Sequence, residues 1–525
     1  MKKTVNIPKK YSDAVINIAL DTISLNKQAL VFVNTKRGAE SQAEKISSKI
    51  KEQKEEWTEL SEKALKALSK PTKQCKRLAL CLNRGIAFHH AGLASKQREL
   101  IEENFREGKV KIICCTPTLA YGLNLPSFRT IVRDLKRYGG PWGMHPIPIL
   151  EYHQMIGRSG RPDFNDEYGE AICIAGSKGE KEKIIEHYLE GDPEEIYSKL
   201  AVEPVLRTYI LSLIATEFVT SEEDLKEFFD NTFYAHQFKD LSKLHGTINR
   251  MLKLLEEWDF IRRESSDKDF MSADELGKGF LKATLIGHRV AELYLDPATA
   301  FFIITCLRRA TQKILSEFSF LQMVSSCNEM RPLLSMRVAD YDVVTEKALK
   351  YHDSVLELEP SEFSEEYEDY MKSIKTAMFF QDWINEMDEE YLLETYNIRP
   401  GETRVKLNLA DWLLYSSEEL AKLLKFHPLI KELIKMRFRL KHGAKEELLP
   451  LLKLRDIGRV RARMMFKNGI RDITGVKKVE YTLLAHLLGK KVALSVKKQV
   501  GQDLTPEKVV VKTKKRKGQK NIKDF

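Results

Sequence analysis

Short apolar runs alternate with helical patterns over residues 1–200, and this alternation constrains the fold more than any other feature of the sequence. Runs bounded by polar residues predict buried strands at 29–34, 110–115, 130–133 and 170–175, and a strand followed by a loop at 86–93. Strands of a parallel sheet read as continuous apolar runs because helices cover both of its faces. Pro71 is predicted to break a charged helical stretch that ends near residue 70. The first 200 residues are therefore predicted to form an α/β lobe on a parallel sheet.

From about residue 200 the hydrophobic period is helical. Residues 201–288 combine short amphipathic segments with two strand-like runs, which indicates a winged helix. Residues 289–425 are nearly all helical, and residues 426–500 contain helices joined by a Gly-containing turn. Residues 501–525 are basic, with the run KTKKRK at 512–517, and lack apolar periodicity, so they are predicted to form a disordered basic tail.

The charge balance favours a polyanion as partner. The formal net charge is +10 and the pI is about 8.9, which points to such a partner without identifying it. The seven cysteines form no CxxC pair and no metal-ligand spacing, so reduced thiols and no metal site are expected in this chain. No apolar run approaches a membrane span and no signal peptide is recognisable, so a cytoplasmic protein without a membrane partner is expected.

The stretch QMIGRSGRP at 154–162 is a candidate anion site. Arg158 and Arg161 lie three apart, each after a glycine, at the end of a predicted helix that begins at Leu150. Residues three apart share a helix face, so both guanidiniums are expected to point at one anion. A guanidinium is a rigid, permanently charged donor fork, which suits a phosphate that gains charge during a reaction. An Arg-Gly turn with solvated charges is the alternative.

Three loops of the predicted sheet carry further polar candidates. In open parallel sheets, ligands bind at the loops that leave the carboxyl ends of the strands. The first loop carries Thr35, Lys36 and Arg37, and the second carries Thr116 and Thr118. The loop of the arginine pair is predicted to lie at the same edge.

Four segments resemble helicase motifs. They are VFVNTKR at 31–37, FHHAGL at 88–93, TPTLAYGLNLP at 116–126 and QMIGRSGRP at 154–162. These segments look like motifs IV, IVa, V and VI of superfamily-2 helicases, and they stand in that order. The resemblance is to the archaeal DNA helicases of the Ski-like branch, related to HelQ and to the polymerase-theta helicase. It covers the chain to about residue 500, and it implies a second RecA-like lobe at 1–200, a winged helix, a helical ratchet domain at 289–425 and a helix-hairpin-helix domain at 426–500.

The resemblance also implies a nucleotide site and a DNA path on the lobe. Arg158 and Arg161 would be arginine fingers and Gln154 a γ-phosphate sensor, with Gly122 and Asn124 near the nucleotide. The two polar loops would contact DNA: these residues are Thr35, Lys36, Arg37, Thr116 and Thr118. The expected cofactors are ATP and Mg²⁺, both held mainly by a first RecA-like lobe.

The sequence departs from the family pattern in one respect. It contains no GxxxxGK[ST] P-loop, and no DExH motif follows a buried strand. The Gly176–Gly179 loop lacks the P-loop spacing. The expectation is therefore a split motor, with the first lobe on a separate polypeptide, or a truncated reading of a longer gene. The isolated chain is expected to be inactive as an ATPase.

Residues 134–148 are rich in Gly and Pro between two strand-like flanks, which predicts a β-hairpin or an extended loop. In the related helicases a hairpin here separates the strands of the duplex. Tyr138, Trp142 and Met144 are the candidates to stack on the last base pair. Aromatic side chains tucked under a loop are the alternative.

Two further DNA contacts are expected in the helical part. In the ratchet domain of the family, one long helix offers a stacking Trp and a basic residue a turn or two earlier. Trp383 and Lys375 fit this spacing, although Trp383 lies in an apolar stripe and is also compatible with a core position. The Gly-containing turn before Arg459, Arg461 and Arg463 is predicted to clamp a phosphate, with a solvated charged face as the alternative.

The sequence thus predicts part of an ATP-dependent DNA helicase that moves 3′→5′ on single-stranded or forked DNA in repair or restart. Direction and fork role are implied by the resemblance alone. A non-catalytic DNA-binding protein derived from a helicase is the first alternative. An RNA-remodelling helicase is the second, and the lack of a large insertion in residues 201–288 disfavours it.

Overall fold

The structure is a computed structural model that describes residues 5–68, 70–121, 124–138, 143–161, 166–200, 202–238, 241–264 and 280–502. Contacts divide the chain into two compact units. Unit 1 comprises Met1–Lys199 together with Asp388–Lys406, and unit 2 comprises Leu200–Met387 together with Leu407–Phe525.

Unit 1 is built on a five-stranded parallel sheet of order β2-β3-β1-β4-β7, beside which β5 and β6 form a separate antiparallel pair. The strands are β1 (Ala29–Phe32), β2 (Ile86–His89), β3 (Ile112–Cys115), β4 (Arg129–Val132), β5 (Lys136–Tyr138), β6 (Met144–Pro146) and β7 (Glu170–Cys173). Every residue of β1 to β4 is buried, which explains their continuous apolar runs. All five strands predicted for the parallel sheet are present.

Helices pack around this sheet. In chain order they are α1 (Ala14–Ser24), α2 (Lys36–Ser47), α3 (Glu55–Leu65), α4 (Lys73–Leu82), α5 (Ser95–Arg106), α6 (Ile149–Ile156) and α7 (Lys178–Ile184). The predicted break at Pro71 separates α3 from α4, and Thr72 begins α4 by accepting a hydrogen bond from the Cys75 amide. Buried side chains of the strands and helices form one continuous apolar core.

Unit 2 begins with helices and a small antiparallel sheet. Its elements to residue 387 are α8 (Glu203–Ala215), α9 (Glu222–Asp230), α10 (Phe233–Gln237), α11 (Ser242–Glu257), β8 (Ile261–Glu264), β9 (Phe280–Ala283), α12 (Leu285–Glu292), α13 (Pro297–Ala310), α14 (Glu317–Ser326), α15 (Tyr341–Tyr351) and α16 (Glu366–Ile384). The pairing of β8 with β9 after α8–α11 is the helices-then-wing arrangement that the sequence predicts. Among the described residues no single helix is long and apolar enough to cross a membrane, and α12 with α13 reaches that length and apolarity only jointly, as a pair bent by 118°.

Residues Asp388–Lys406, here called the strap, belong to unit 1 although they lie inside the range predicted for the helical domain. The strap contains α17 (Glu389–Tyr396), and α18 (Pro400–Leu423) begins within it. Asn397 ends α17 in the left-handed conformation, with φ of 53°. The strap hydrogen-bonds to the lobe at Gly401, whose amide donates to the Gly92 carbonyl at 3.1 Å.

The last elements of unit 2 are α19 (His427–His442), α20 (Leu449–Leu452), α21 (Arg459–Lys467), α22 (Ile473–Lys478), α23 (Tyr481–Leu488) and α24 (Lys490–Gln499). Helices α20–α24 share a compact apolar core that runs from Ala444 to Val500, against which Phe438 of α19 packs. Lys497 is buried in this part, and its ammonium donates to the carbonyl of Val476 at 2.9 Å and to that of Lys477 at 3.2 Å. The predicted fold class, a parallel-sheet lobe followed by mostly helical domains, is confirmed.

Candidate nucleotide and nucleic-acid sites

The arginine pair lies beyond the helix that was predicted to carry it. Helix α6 ends at Ile156, and Ser159 forms an isolated parallel bridge with Ser127. The amide of Ser127 donates to the Arg158 carbonyl at 2.8 Å, which fixes the chain in an extended course here. Arg158 and Arg161 therefore do not share a helix face, and that prediction is wrong because the helix stops before them.

The pair also lies at the other edge of the sheet from the one predicted. Ser127 precedes β4, and Gln28, which contacts Arg161, directly precedes β1. These are the amino ends of parallel strands, whereas Thr35 and Thr116 follow the carboxyl ends of β1 and β3. The backbone of the arginine loop and the Arg161 side chain therefore lie at the amino edge, whereas the Arg158 guanidinium reaches the Ala120 carbonyl on the loop that follows β3. The two polar loops share the carboxyl edge as predicted.

Arg161 is a buried member of a charged network. Its guanidinium is 4% exposed and donates from Nε to Asp166 Oδ2 at 2.8 Å and from Nη1 to Gln28 Oε1. The side chain of Asp166 is fully buried and also pairs with Lys27. Burial raises the pKa of Asp166, but the hydrogen bonds and charges of Arg161 and Lys27 outweigh burial and lower it. Arg161 thus neutralises an interior carboxylate.

Arg158 has a different environment, which leaves it more accessible. Its side chain is half-buried and donates from Nη2 to the Ala120 carbonyl. Two buried polar atoms close to it in sequence, Gln154 Oε1 and Ser159 Oγ, have no hydrogen-bond partner within the described ranges. Buried polar atoms are normally satisfied, so these two indicate a place where a polar ligand completes the structure.

The other residues expected near the nucleotide are described only in part. Asn124 is exposed, and Gly122 lies outside the described residues. No group of three or more His, Cys, Asp or Glu side chains that could hold a metal ion occurs in the described ranges. All seven cysteines are free thiols.

The carboxyl edge brings together the two polar loops. Thr35 is exposed and caps α2, with Oγ1 accepting from the Gly38 amide at 2.9 Å. Thr116 and Thr118 lie on the loop after the neighbouring strand, with their hydroxyls 2.9 Å apart. Lys36 pairs with Glu402 of the strap and Arg37 donates to Asn397 Oδ1 at 3.3 Å, so both cations already have partners.

Glu40 lies at the centre of a buried polar cluster at the same edge. Its carboxylate accepts from Gln74 at 2.8 Å, contacts His90 at 3.2 Å, and forms ion pairs with Arg77 and with Arg399 of the strap. Burial raises the pKa of Glu40, but the His90 and Gln74 hydrogen bonds and the two arginine charges outweigh burial and lower it to about 2. The charged carboxylate therefore anchors the strap on the lobe.

The predicted β-hairpin is confirmed. Strands β5 and β6 pair antiparallel, and Tyr138 lies opposite Met144 at the outer end of the described ladder. Their side chains are 74% and 60% exposed, so neither is tucked under a loop. Arg137 joins the hairpin to α6 through an ion pair with Glu151 at 2.8 Å. Trp142 lies outside the described residues.

Trp383 and Lys375 are core residues of unit 2 in this structure. Trp383 is 9% exposed, donates from Nε1 to the Leu440 carbonyl at 2.7 Å, and is covered by the Arg459 guanidinium 4.4 Å from its ring centroid. Lys375 is 3% exposed and pairs with Asp340 at 2.6 Å. The Arg337 hydrogen bond, followed by that of Lys375, lowers the pKa of Asp340. This placement matches the core alternative that the sequence left open, rather than an exposed stacking face.

A second tryptophan satisfies the same sequence criterion, although it was not predicted as a DNA contact. Trp412 lies on the 24-residue helix α18, eight residues after Arg404. It is half-buried, and its Nε1 donates to the Leu293 carbonyl at 3.2 Å. Arg404 and Trp412 have the same eight-residue spacing as Lys375 and Trp383, and they lie on a longer helix.

The three arginines of α21 have different surroundings. Gly458 precedes the helix, as the predicted turn requires, and both Gly458 and Arg461 are exposed. Arg463 pairs with Glu386 at 2.8 Å, and Arg459 covers Trp383. The Glu386 hydrogen bond is the main reason that the pKa of Arg463 is raised. Of the three, Arg461 is therefore the one that projects most into solvent.

Comparison with known protein families defines the class. Residues 61–163 match the helicase conserved C-terminal domain, residues 169–262 match a helix-turn-helix domain, and residues 318–443 match domain 4 of archaeal helicases. Together with the parallel-sheet lobe, these matches place the chain among the helicases.

Comparison with individual proteins identifies the family. The chain is 37% identical over 517 residues to the ATP-dependent DNA helicase Hel308 of Methanocella arvoryzae, a match that covers 96% of this chain and 67% of the relative. It is 38% identical over 507 residues to Hel308 of Methanococcus vannielii, covering 90% of this chain and 65% of that relative. The match to Hel308 of Pyrococcus horikoshii is 36% over 506 residues, covering 95% and 67%. The chain therefore belongs to the Hel308 helicase family, and it spans about two thirds of the length of these relatives.

Proposed function

We propose that this chain is the second-lobe and DNA-binding portion of an ATP-dependent DNA helicase that moves 3′→5′ on single-stranded or forked DNA at the nucleoid. The observation that carries the proposal is the half-buried Arg158 together with Gln154 Oε1 and Ser159 Oγ, which lie close to it in sequence and have no hydrogen-bond partner among the described residues. A non-catalytic DNA-binding protein has no use for such a site. The curated relatives, each an ATP-dependent DNA helicase, support the same activity.

The amino edge is the proposed nucleotide-facing edge of the lobe. When bound, ATP with Mg²⁺ supplies the phosphoanhydride bond whose hydrolysis drives movement. Arg158 would meet the γ-phosphate as a charged fork, and the Gln154 amide would contact the same group. Arg161 acts on the nucleotide only indirectly, since its guanidinium is committed to Asp166 and Gln28 and holds the loop in place.

A first RecA-like lobe completes the motor in this proposal. The P-loop and the carboxylates for Mg²⁺ would come from that lobe, either on a separate polypeptide, as expected from the sequence, or on the same one. Neither a P-loop nor a DExH motif occurs in these 525 residues. In this proposal the chain therefore contributes Arg158, which contacts the γ-phosphate, and does not contribute the loop that binds the phosphates.

The carboxyl edge and the exposed hairpin are the proposed DNA path. Thr35, Lys36, Arg37 and Thr118 would contact the phosphate backbone, which positions DNA without reading its sequence. The buried Thr116 would act through Thr118, whose hydroxyl lies 2.9 Å from its own. In unit 2, Trp412 replaces Trp383 as the proposed base-stacking residue, because Trp412 is only half-buried. Arg461, ahead of Arg459 and Arg463, is the proposed phosphate ligand of α21.

Strand separation tests the function and the hairpin together. With a first-lobe polypeptide and ATP, the chain is expected to unwind a duplex with a 3′ single-stranded tail and to leave a 5′-tailed duplex intact. Tyr138→Ala is expected to reduce unwinding about tenfold, since base–aromatic stacking is worth about 1–3 kcal/mol per base. DNA-stimulated ATP hydrolysis should persist in this variant, because Tyr138 lies on the hairpin and not at the arginine loop.

Tyr168→Ala is the matched control, since Tyr168 is a similarly exposed tyrosine outside the hairpin. It should unwind like the unmodified chain. Equal losses in both variants would remove the wedge assignment, and preferential unwinding of the 5′-tailed duplex would reverse the proposed direction.

A further inference from the structure

The strap pairs with cations of the lobe, two of which, Lys36 and Arg37, lie at its carboxyl edge. Lys36 pairs with Glu402, and Arg37 donates to Asn397 Oδ1 at 3.3 Å. Further along the lobe, Lys70 pairs with Asp388 at 2.6 Å and Lys73 pairs with Glu394. The strap carries five acidic and three basic residues, so its charge complements this face.

The middle of the strap is fixed by its backbone. Gly401 donates to the Gly92 carbonyl at 3.1 Å, and a Cβ added at Gly401 would lie 2.1 Å from the Ala91 carbonyl oxygen. Only glycine permits this close approach. The backbone contact at Gly401 therefore fixes the position of the next residue, Glu402, against the lobe.

Glu402 is oriented by both of its oxygens. Oε2 accepts from the Arg399 amide at 2.9 Å, and Oε1 pairs with Lys36. Arg399 is itself anchored by the buried Glu40, at 3.3 Å. A carboxylate placed in this way presents an anionic oxygen to Lys36, as a phosphate would.

We propose that the strap is an internal competitor for nucleic-acid phosphate. The Glu402 carboxylate and the Asn397 amide hold the side chains of Lys36 and Arg37 when no DNA is bound, and a DNA phosphate must displace them to contact those cations. This inference rests on the proposed function, because it requires that Lys36 and Arg37 contact DNA.

The competition is modest in size and depends on salt. Side chains of the Lys36–Glu402 pair are 34% and 29% exposed, so solvent screens their attraction. Pairs of this kind are weak, and removing the competitor is expected to tighten DNA binding about two- to fivefold. Added salt screens the pair and the phosphate contacts alike, so the difference is best measured at low ionic strength.

The test compares Glu402→Gln with Glu394→Gln in the full chain, with a fluorescent oligothymidylate as probe. Both variants remove one negative charge from the strap, but only Glu402 faces a proposed DNA contact. Glutamine keeps an oxygen that accepts from the Arg399 amide while removing the charge from Lys36. Glu402→Gln is expected to lower the Kd about two- to fivefold, and Glu394→Gln to leave it unchanged.

The same substitution in a chain that lacks the Lys36 cation tests whether Glu402 acts through Lys36. In a Lys36→Met chain, Glu402→Gln is expected to have no effect on the Kd. Equal tightening in both single variants would mean that net charge alone matters, and weaker binding by Glu402→Gln would mean that the carboxylate positions Lys36 for DNA. Either result would contradict the proposal that the strap competes with DNA phosphate. If the unmodified chain does not bind the oligonucleotide at all, the proposed function fails instead.

Discussion

Arg158→Ala is expected to reduce DNA-stimulated ATP hydrolysis by about 10³-fold or more when the chain is combined with a first-lobe polypeptide. An arginine finger typically contributes roughly 10³–10⁵ to the rate of phosphoryl transfer, because it stabilises charge that develops on the transferred group. Removal should cost little stability, since the half-buried Arg158 side chain contacts the Ala120 carbonyl and, within the described part of the chain, no buried carboxylate. Single-turnover hydrolysis and binding of single-stranded DNA are the two measurements.

Arg161→Ala is the informative comparison. It would leave the Asp166 side chain with Lys27 as its remaining ion-pair partner and would remove the hydrogen bond to Gln28, and breaking a buried ion pair on one side typically costs up to about 3–5 kcal/mol. Activity should therefore be lost together with the fold of the lobe, which thermal unfolding would show. A stable, inactive Arg161→Ala protein beside a fully active Arg158→Ala protein would reverse the two roles.

Trp383→Ala is expected to destabilise unit 2 by about 3–5 kcal/mol, the usual cost of truncating a buried aromatic side chain. The substitution removes the indole that packs against Gly443, deletes the hydrogen bond to the Leu440 carbonyl, and uncovers the Arg459 guanidinium. Because the chain has more than one unit, one global unfolding transition is not expected. Faster amide hydrogen exchange in peptides from α16 and α19 would report the loss of stability around Trp383.

Trp412→Ala separates the core role from the DNA role. Trp412 is half-buried, so its removal should cost less stability than that of Trp383. Under conditions where both proteins are folded, Trp412→Ala should weaken the coupling of hydrolysis to unwinding, and Trp383→Ala should retain it. Full coupling in Trp412→Ala with a stable but uncoupled Trp383→Ala would restore Trp383 as the stacking residue.

The parallel sheet was predictable because its strands are buried on both faces and read as apolar runs. Pro71 predicts only the end of a helical stretch and does not indicate helix α4, which begins directly after it because Thr72 caps a new helix. The hairpin was predictable from local Gly and Pro turn chemistry between 134 and 148. Each correct prediction rested on a pattern within about fifteen residues of sequence.

The site was less predictable, because partners distant in sequence determine what each side chain does. Arg161 and Arg158 read alike in the motif, yet Gln28, 133 residues before Arg161, helps to bury one of them. Lys36 meets Glu402 across 366 residues, so no local pattern marks the strap as part of the lobe. Trp383 and Trp412 each follow a basic residue by eight positions, so the sequence does not distinguish them. Their burial in the structure does, since Trp383 is buried and Trp412 is half-buried.

The most direct test is ATP turnover by this chain alone and mixed with a first-lobe polypeptide that carries a P-loop and a DExH motif, each with and without single-stranded DNA. Turnover that requires both polypeptides and rises with DNA is the predicted result. Intact DNA binding without turnover in the mixture, where the first lobe is shown to bind ATP, would contradict the helicase assignment and favour a non-catalytic DNA-binding protein.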